Sequence, residues 1–227
     1  TSDRLVCVTD GRYSTGVAES VQAACPSLEL VTVESTYDDT LAGLVGGLRP
    51  GRVGIEGAYL SVSRFNGLTT RLSDAIRSGA SLVLAERVVE AARLRKDAVE
   101  IALFREAAAM LDAAAGEMLA DVRAGRRESE VAADIDWCLK HVGFERTSFE
   151  TIVASGPNAA LPHARPGLRT LQAGDLVILD FGGVHGGYCV DMTRTVSVGE
   201  PGAEARRIYE AVARAQKLET ERHAALA

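Results

Sequence analysis

The spacing of apolar residues changes once along this chain, near residue 86, and that change limits the folds it can adopt. Before it, short apolar runs at 5–8, 28–33, 52–56 and 81–85 alternate with helical patterns at 16–24, 37–48 and 61–78. Strands that alternate with helices of 10–15 residues predict an α/β layer. The first part of the chain is therefore predicted to form an α/β domain over residues 1–90.

The second part follows a different pattern. Apolar residues recur every three or four positions from Ile101 to Val122, which predicts one long amphipathic helix. A second helical pattern ends at Gly143, the chain turns strand-like from Phe149, and a last helix begins near Ala203. Two further strands, at 176–181 and 188–198, complete a predicted α+β domain over residues 91–227.

The composition, with 47% hydrophobic and 25% charged residues among 227, is that of a globular protein with a sizeable core. The formal net charge of −6 gives no basis for binding nucleic acid or an anionic membrane surface. No apolar run approaches the roughly 18 residues of a membrane helix, and the four cysteines lack CxxC spacing. We therefore expect a cytoplasmic protein with reduced thiols and with neither nucleic acid nor membrane as partner.

Residues 179–191 predict a β-hairpin, because two β-prone runs flank a loop with four glycines. With the turn centred on His185 and Gly186, Asp180 and Asp191 lie directly opposite each other, with Cβ atoms about 4.5–5.5 Å apart. A buried carboxylate pair at that distance must share a proton or bind a cation, and hard cations such as Mn²⁺ prefer carboxylate oxygens. The alternative, that both residues are solvated turn formers, stays open, although four apolar residues before Asp180 favour its burial.

His163 is the histidine best placed for chemistry, because Pro162 and Pro166 restrict the backbone around it. An imidazole on a rigid loop suits proton transfer or substrate contact near neutral pH. A plain surface histidine is the alternative interpretation.

Three ordered motifs carry a family resemblance: LPHARP at 161–166, GDLVILDFG at 174–182 and YCVDMTRT at 188–195. Together they resemble the pita-bread metallopeptidases, and among these the Xaa-Pro peptidases, aminopeptidase P and prolidase. VTDGRY at 8–13 resembles a segment of their creatinase-like N-terminal domain, and the residues from 95 to 107 resemble the start of their catalytic domain. The resemblance implies an α/β creatinase-like domain followed by about the first half of an α+β pita-bread catalytic domain.

The resemblance also implies roles for single residues. Asp180 would bind one metal of a dinuclear Mn²⁺ or Co²⁺ site, and Asp191 would bridge both metals. The water activated there would attack the carbonyl next to proline in a peptide substrate. His163 would contact the substrate and steady the tetrahedral intermediate, and Thr193, on the face of Asp191, would support the carboxylates. The family commonly forms homodimers.

The chain also departs from the family pattern. A later histidine and two later glutamates complete the metal site in the family, and no such motif follows Asp191 here. The chain begins at Thr1, without the usual opening strands, so we expect it to be truncated at both ends. Two carboxylates are a weak site for a hard metal, so we expect poor metal binding and little activity from this polypeptide alone.

Two other functions fit the same fold. One is a non-catalytic module that binds peptides or proteins, and the other is metal-free amidinohydrolase chemistry of the creatinase type. The presence of both Asp180 and Asp191 favours the peptidase over either.

Overall fold

The computed structural model of the chain describes residues 4–48 and 51–226. Thr1 and the predicted helix stop at Arg49 and Pro50 lie outside these residues. The chain divides into two compact units, Thr1–Arg95 and Lys96–Ala227. Within the described residues, no helix has the length and apolar character needed to cross a membrane.

The first unit contains two pairs of parallel strands, β1 with β2 and β3 with β4, interleaved with helices, as the α/β pattern predicts. Its elements are β1 (Leu5–Thr9), α1 (Ser14–Gly16, continued by a π-helical stretch, Val17–Gln22), β2 (Leu28–Thr32), α2 (Tyr37–Gly47), β3 (Arg52–Ile55), α3 (Val62–Arg71), α4 (Ser73–Arg77), β4 (Ser81–Leu84) and α5 (Val88–Leu94). The single helix predicted over 61–78 is two helices, because the buried Leu72 leaves the helical region of backbone space, with φ −87° and ψ 9°.

The second unit is α+β, with a four-stranded antiparallel sheet centred on one long strand. Its elements are α6 (Ala98–Met118, extended by a 3₁₀ turn, Leu119–Asp121), α7 (Glu128–His141), β5 (Arg146–Thr147), β6 (Ile152–Ser155), a 3₁₀ helix (Gly156–Ala160), β7 (Leu176–His185), β8 (Tyr188–Ser197) and α8 (Ala203–Leu226). β8 pairs with one edge of β7, while β5 and β6 pair one after the other with its second edge. The strand expected from Phe149 begins only at Ile152.

The core of this unit forms where helices α6 and α7 lie against the sheet. Spacings of three and four place one stripe of each helix on the core side, and alternate residues of β7 point to the same core. The buried residues include Ala107, Leu111, Ala114, Met118, Val131, Ile135, Leu139, Val177, Leu179 and Phe181. This packing holds β7 and β8 rigidly against two helices.

The start of helix α6 and the tip of the β7–β8 hairpin share one carboxylate. Asp97 and Glu100 form a capping box, in which the backbone N–H of Asp97 donates to Glu100 at 2.7 Å. The second carboxylate oxygen of Glu100 accepts a 2.5 Å hydrogen bond from the Tyr188 hydroxyl. The ring of Phe104 packs edge-on against that of Tyr188, with centroids 5.1 Å apart. The hairpin tip is thereby fixed to the first turns of α6.

Replacing Gly183 by alanine is expected to destabilise the second unit by about 1–3 kcal/mol, because overpacking a well-packed core costs that much. A Cβ at Gly183 would lie 2.3 Å from ring atoms of the buried Phe144. Gly116 in helix α6 is the matched control, since it is exposed and a Cβ there meets nothing within 4 Å. Gly116→Ala should stabilise by about 0.5–1 kcal/mol. Urea unfolding of both variants measures the difference, and equal stabilities would contradict this account of β7.

Candidate metal centre

The turn of the β7–β8 hairpin sets which residues face each other. His185 pairs with Tyr188, so the turn residues are Gly186 and Gly187, with φ of +56° and +80°. The predicted turn at His185 and Gly186 is therefore wrong. A two-residue type I′ turn needs positive φ at both central positions, which two glycines adopt without strain and a histidine does not.

The corrected register changes how the two carboxylates meet. Asp180 lies opposite Thr193, and Asp191 lies opposite Gly182, so the predicted direct opposition of Asp180 and Asp191 is also wrong. Because the partner of Asp180 shifts by two residues, from Asp191 to Thr193, both carboxylates stay on the same face of the sheet as diagonal neighbours. Cα atoms at diagonal positions are about 7–8 Å apart, and side chains there still interact.

Thr193 lies beside this pair. Its hydroxyl donates a 2.7 Å hydrogen bond to Oδ1 of Asp180. This bond turns one oxygen of Asp180 toward β8 and holds the carboxylate in place. The expectation of a buried pair is wrong, because Asp180 is half-buried and Asp191 is exposed. The structure thus brings Asp180, Asp191 and Thr193 together on one face of the hairpin.

The charge of Asp180 disfavours ionisation of the neighbouring Asp191. Burial, and next to it the negative charge of Asp180, raise the pKa of Asp191 above its ordinary value. A nearby cation would relieve this repulsion, and carboxylate oxygens are the donors that hard divalent cations take. The pair therefore fits part of the ligand set of such a cation. Over 4–48 and 51–226 no group of three or more His, Cys, Asp or Glu is placed to hold a metal ion.

His163 does not join this group directly. It is exposed, on the segment between the 3₁₀ helix Gly156–Ala160 and β7. No hydrogen bond or ion pair links it to Asp180, Asp191 or Thr193 in the described part of the chain. His163 therefore lies on a loop, whereas Asp180 and Asp191 lie on strands β7 and β8.

Glu128 is a buried carboxylate that the sequence analysis missed. It is fully buried at the start of α7 and accepts hydrogen bonds from Ser155, Asn158 and Gly167. Burial raises its pKa, but the bonds from Ser155, Asn158 and Gly167 outweigh burial and hold the pKa below its ordinary value. A sequence signal existed, because Glu128 stands three residues before Val131, on the apolar stripe of its helix.

Comparison with known proteins gives two family matches. A model described as metallopeptidase family M24 matches residues 102–223, and one described as creatinase/prolidase N-terminal domain matches residues 1–95. An uncharacterized peptidase of Bacillus subtilis is 33% identical over 216 residues, which are 95% of this chain and 59% of that protein. An Xaa-Pro dipeptidase of Pyrococcus furiosus is 38% identical over 134 residues, which are 59% of this chain and 38% of that protein.

Solved structures agree with these matches. An Xaa-Pro dipeptidase from Bacillus anthracis superposes with a TM-score of 0.84 at 33% identity, covering 92% of this chain and 56% of that one. An X-Pro aminopeptidase from Thermotoga maritima superposes with a TM-score of 0.81 at 30% identity, covering 96% of this chain and 59% of that one. The chain spans somewhat more than half the length of these two solved structures.

Replacing Asp180 by asparagine is expected to lower the pKa of Asp191 toward its ordinary range, because the substitution removes the neighbouring negative charge. A carbon-detected NMR titration of the Asp191 carboxyl, in EDTA to exclude divalent cations, measures the change. Glu204→Gln removes the same charge from an exposed position on α8 and should leave the pKa of Asp191 where it is. An unchanged pKa in Asp180→Asn would mean that burial alone sets the pKa of Asp191.

Proposed function

Because this chain belongs to metallopeptidase family M24 and carries a creatinase/prolidase N-terminal domain, we propose that it provides part of a metal-dependent exopeptidase for Xaa-Pro bonds. The substrate is a peptide with proline in its second position. The names of the relatives support this substrate class, since they include Xaa-Pro dipeptidases and an X-Pro aminopeptidase.

The observation that carries the proposal is the placement of Asp180 and Asp191 on one face of a rigid hairpin, with Thr193 hydrogen-bonded to Asp180. Rigid strands hold donor atoms more exactly than loops do, and the apolar face of the same hairpin is packed against α6 and α7. The strands fix both carboxylates in position before a divalent cation binds.

Each residue then has a role. Asp180 and Asp191 would hold divalent cations, two Mn²⁺ or Co²⁺ ions in our proposal, and the hydrogen bond from Thr193 would keep the Asp180 carboxylate in place. Bound divalent cations supply positive charge that polarises the peptide carbonyl and activates water for attack. His163 contacts the substrate carbonyl next to proline and steadies the negative charge that develops on its oxygen.

Two carboxylates leave most positions around a hard cation unfilled, since such ions take six or more oxygen ligands. We propose that the 227-residue chain alone binds metal weakly and has little peptidase activity. The lack of a third metal-capable residue near the pair, within the residues that the structure describes, also suits a second candidate, a non-catalytic peptide-binding member of the same fold.

The product of the whole reading frame should release the N-terminal residue from an Xaa-Pro peptide in the presence of Mn²⁺ or Co²⁺. Asp191→Asn should lower kcat/KM by about a thousandfold, because metal-derived stabilisation of the transition state amounts to several kcal/mol. Glu204→Gln removes an exposed carboxylate from helix α8 and is the matched control, with wild-type kcat/KM expected.

Metal affinity separates the two candidates. Isothermal titration with Mn²⁺ should show weak binding to the 227-residue chain and markedly tighter binding to the product of the whole reading frame. Equal, weak binding by both, together with retained affinity for an Xaa-Pro peptide, would favour the non-catalytic candidate. Wild-type turnover by Asp191→Asn would refute the metal-binding role.

A further inference from the structure

We propose that Glu128 is a positioning residue, whose buried carboxylate ties both ends of the loop that carries His163 to helix α7. This loop, residues 155–169, is the His163 loop. The inference rests on the proposed function for its catalytic consequence, while its structural content stands on the contacts of Glu128 alone.

The four donors of Glu128 come from the two ends of the His163 loop. At the first end, the backbone N–H and the hydroxyl of Ser155 donate to Oε1 at 2.8 and 2.7 Å, and the amide of Asn158 reaches both oxygens at 3.1 Å. At the second end, the backbone N–H of Gly167 donates to Oε2 at 3.2 Å. One side chain therefore closes the loop at its base.

Backbone hydrogen bonds support the same closure. The N–H of Ser129 donates to the carbonyl of Gly167 at 3.1 Å, and the N–H of Glu128 donates to the carbonyl of Arg169 at 3.0 Å. The first turn of α7 thus uses the end of the His163 loop as acceptor for N–H groups that a helix start leaves unpaired. The loop carbonyls thus accept hydrogen bonds from backbone N–H groups at the start of α7.

A cation supports the carboxylate from the far side. The Arg169 guanidinium donates to the Ser155 hydroxyl at 2.5 Å and to Asp175 at 2.6 Å. The hydrogen bond from Arg169 polarises the Ser155 hydroxyl. This hydroxyl therefore donates a stronger hydrogen bond to Glu128. The Ser155 hydroxyl thus links the carboxylate of Glu128 to the ion pair of Arg169 with Asp175.

Only a carboxylate satisfies this set of donors. Both of its oxygens accept, and four donor groups converge on them. A glutamine of the same shape has one acceptor oxygen, and its amide group would point two N–H bonds at groups that are themselves donors. Glu128→Gln would therefore release at least one end of the loop without changing the volume of the core.

The consequence for catalysis is positional. His163 stands near the middle of the loop, exposed and without a hydrogen bond to the metal-binding hairpin among the described residues, so its place relative to Asp180 and Asp191 depends on the base of the loop. Displacement of a reacting group by about 1 Å costs up to roughly a hundredfold in rate. Glu128 acts on the reaction through His163 and touches no substrate.

Amide hydrogen exchange in the 227-residue chain tests the closure directly. Glu128→Gln should reduce protection of amides in the His163 loop by roughly tenfold or more, while amides of β7 and β8 keep their protection. Glu204→Gln, at an exposed position on α8, is the matched control and should leave the loop unchanged. If Glu128→Gln fails to fold, Asn158→Ala removes one donor from the same carboxylate and should give a smaller loss of protection in the same loop.

A double-mutant cycle in the product of the whole reading frame tests the catalytic part. Glu128→Gln should lower kcat/KM by roughly tenfold to a hundredfold with Mn²⁺ affinity unchanged, because a charged hydrogen bond is lost but the metal ligands are not. In the His163→Ala background the same substitution should have little further effect, since the residue it positions is absent.

The outcomes are distinct. Equal losses of activity in both backgrounds, or lost Mn²⁺ affinity, would show a general structural role and overturn the proposal. Unchanged exchange in the His163 loop would also overturn it. If the wild-type product has no peptidase activity, the proposed function fails, and the exchange experiment still decides whether Glu128 closes the loop.

Discussion

The β7–β8 ladder is the interaction on which the rest of the second unit depends. Ten residue pairs run without interruption from Leu176 with Ser197 to His185 with Tyr188, and the two-glycine turn admits one register. A slip by one residue on a single strand would turn every side chain of that strand to the opposite face. Core packing on one face and the carboxylate pair on the other are therefore set together.

Glu128, which is buried, and Asp191, which is exposed, are two carboxylates of the second unit with opposite surroundings. Glu128 receives four donors, and these hold its pKa low, so its charge is part of a completed network. Asp191 stands beside a second negative charge, and burial together with Asp180 raises its pKa. The hydrogen bonds of Glu128 are complete, which suits the support of a loop. The negative charges of Asp180 and Asp191 lie close together, which suits the binding of a cation.

Much of this arrangement could be predicted from the sequence, because it depends on local patterns. The α/β and α+β patterns and the shared face of Asp180 and Asp191 follow from periodicity, and the family follows from three motifs. The register was missed because two adjacent turns fit the same residues, and only the φ requirement of the turn separates Gly186–Gly187 from His185–Gly186.

Other features depend on contacts between distant residues. The partners of Glu128 lie 27 to 39 residues further along the chain, so its position on the apolar stripe of α7 did not reveal what would satisfy it. The break at Leu72 has no Gly or Pro to announce it. Such features follow from tertiary packing, which local propensity does not contain.

Glu100, whose carboxylate bonds both the start of helix α6 and the hairpin tip, affects where a fragment of the second unit can begin. Similarity to the peptidase family begins at residue 102, whereas Asp97 and Glu100 lie before it. A fragment cut at the family boundary would lose the helix cap and the partner of Tyr188 in one step. The compact unit begins at Lys96, whereas the family match begins at residue 102. The residues between these two boundaries include Glu100, which anchors the hairpin that carries Asp180 and Asp191.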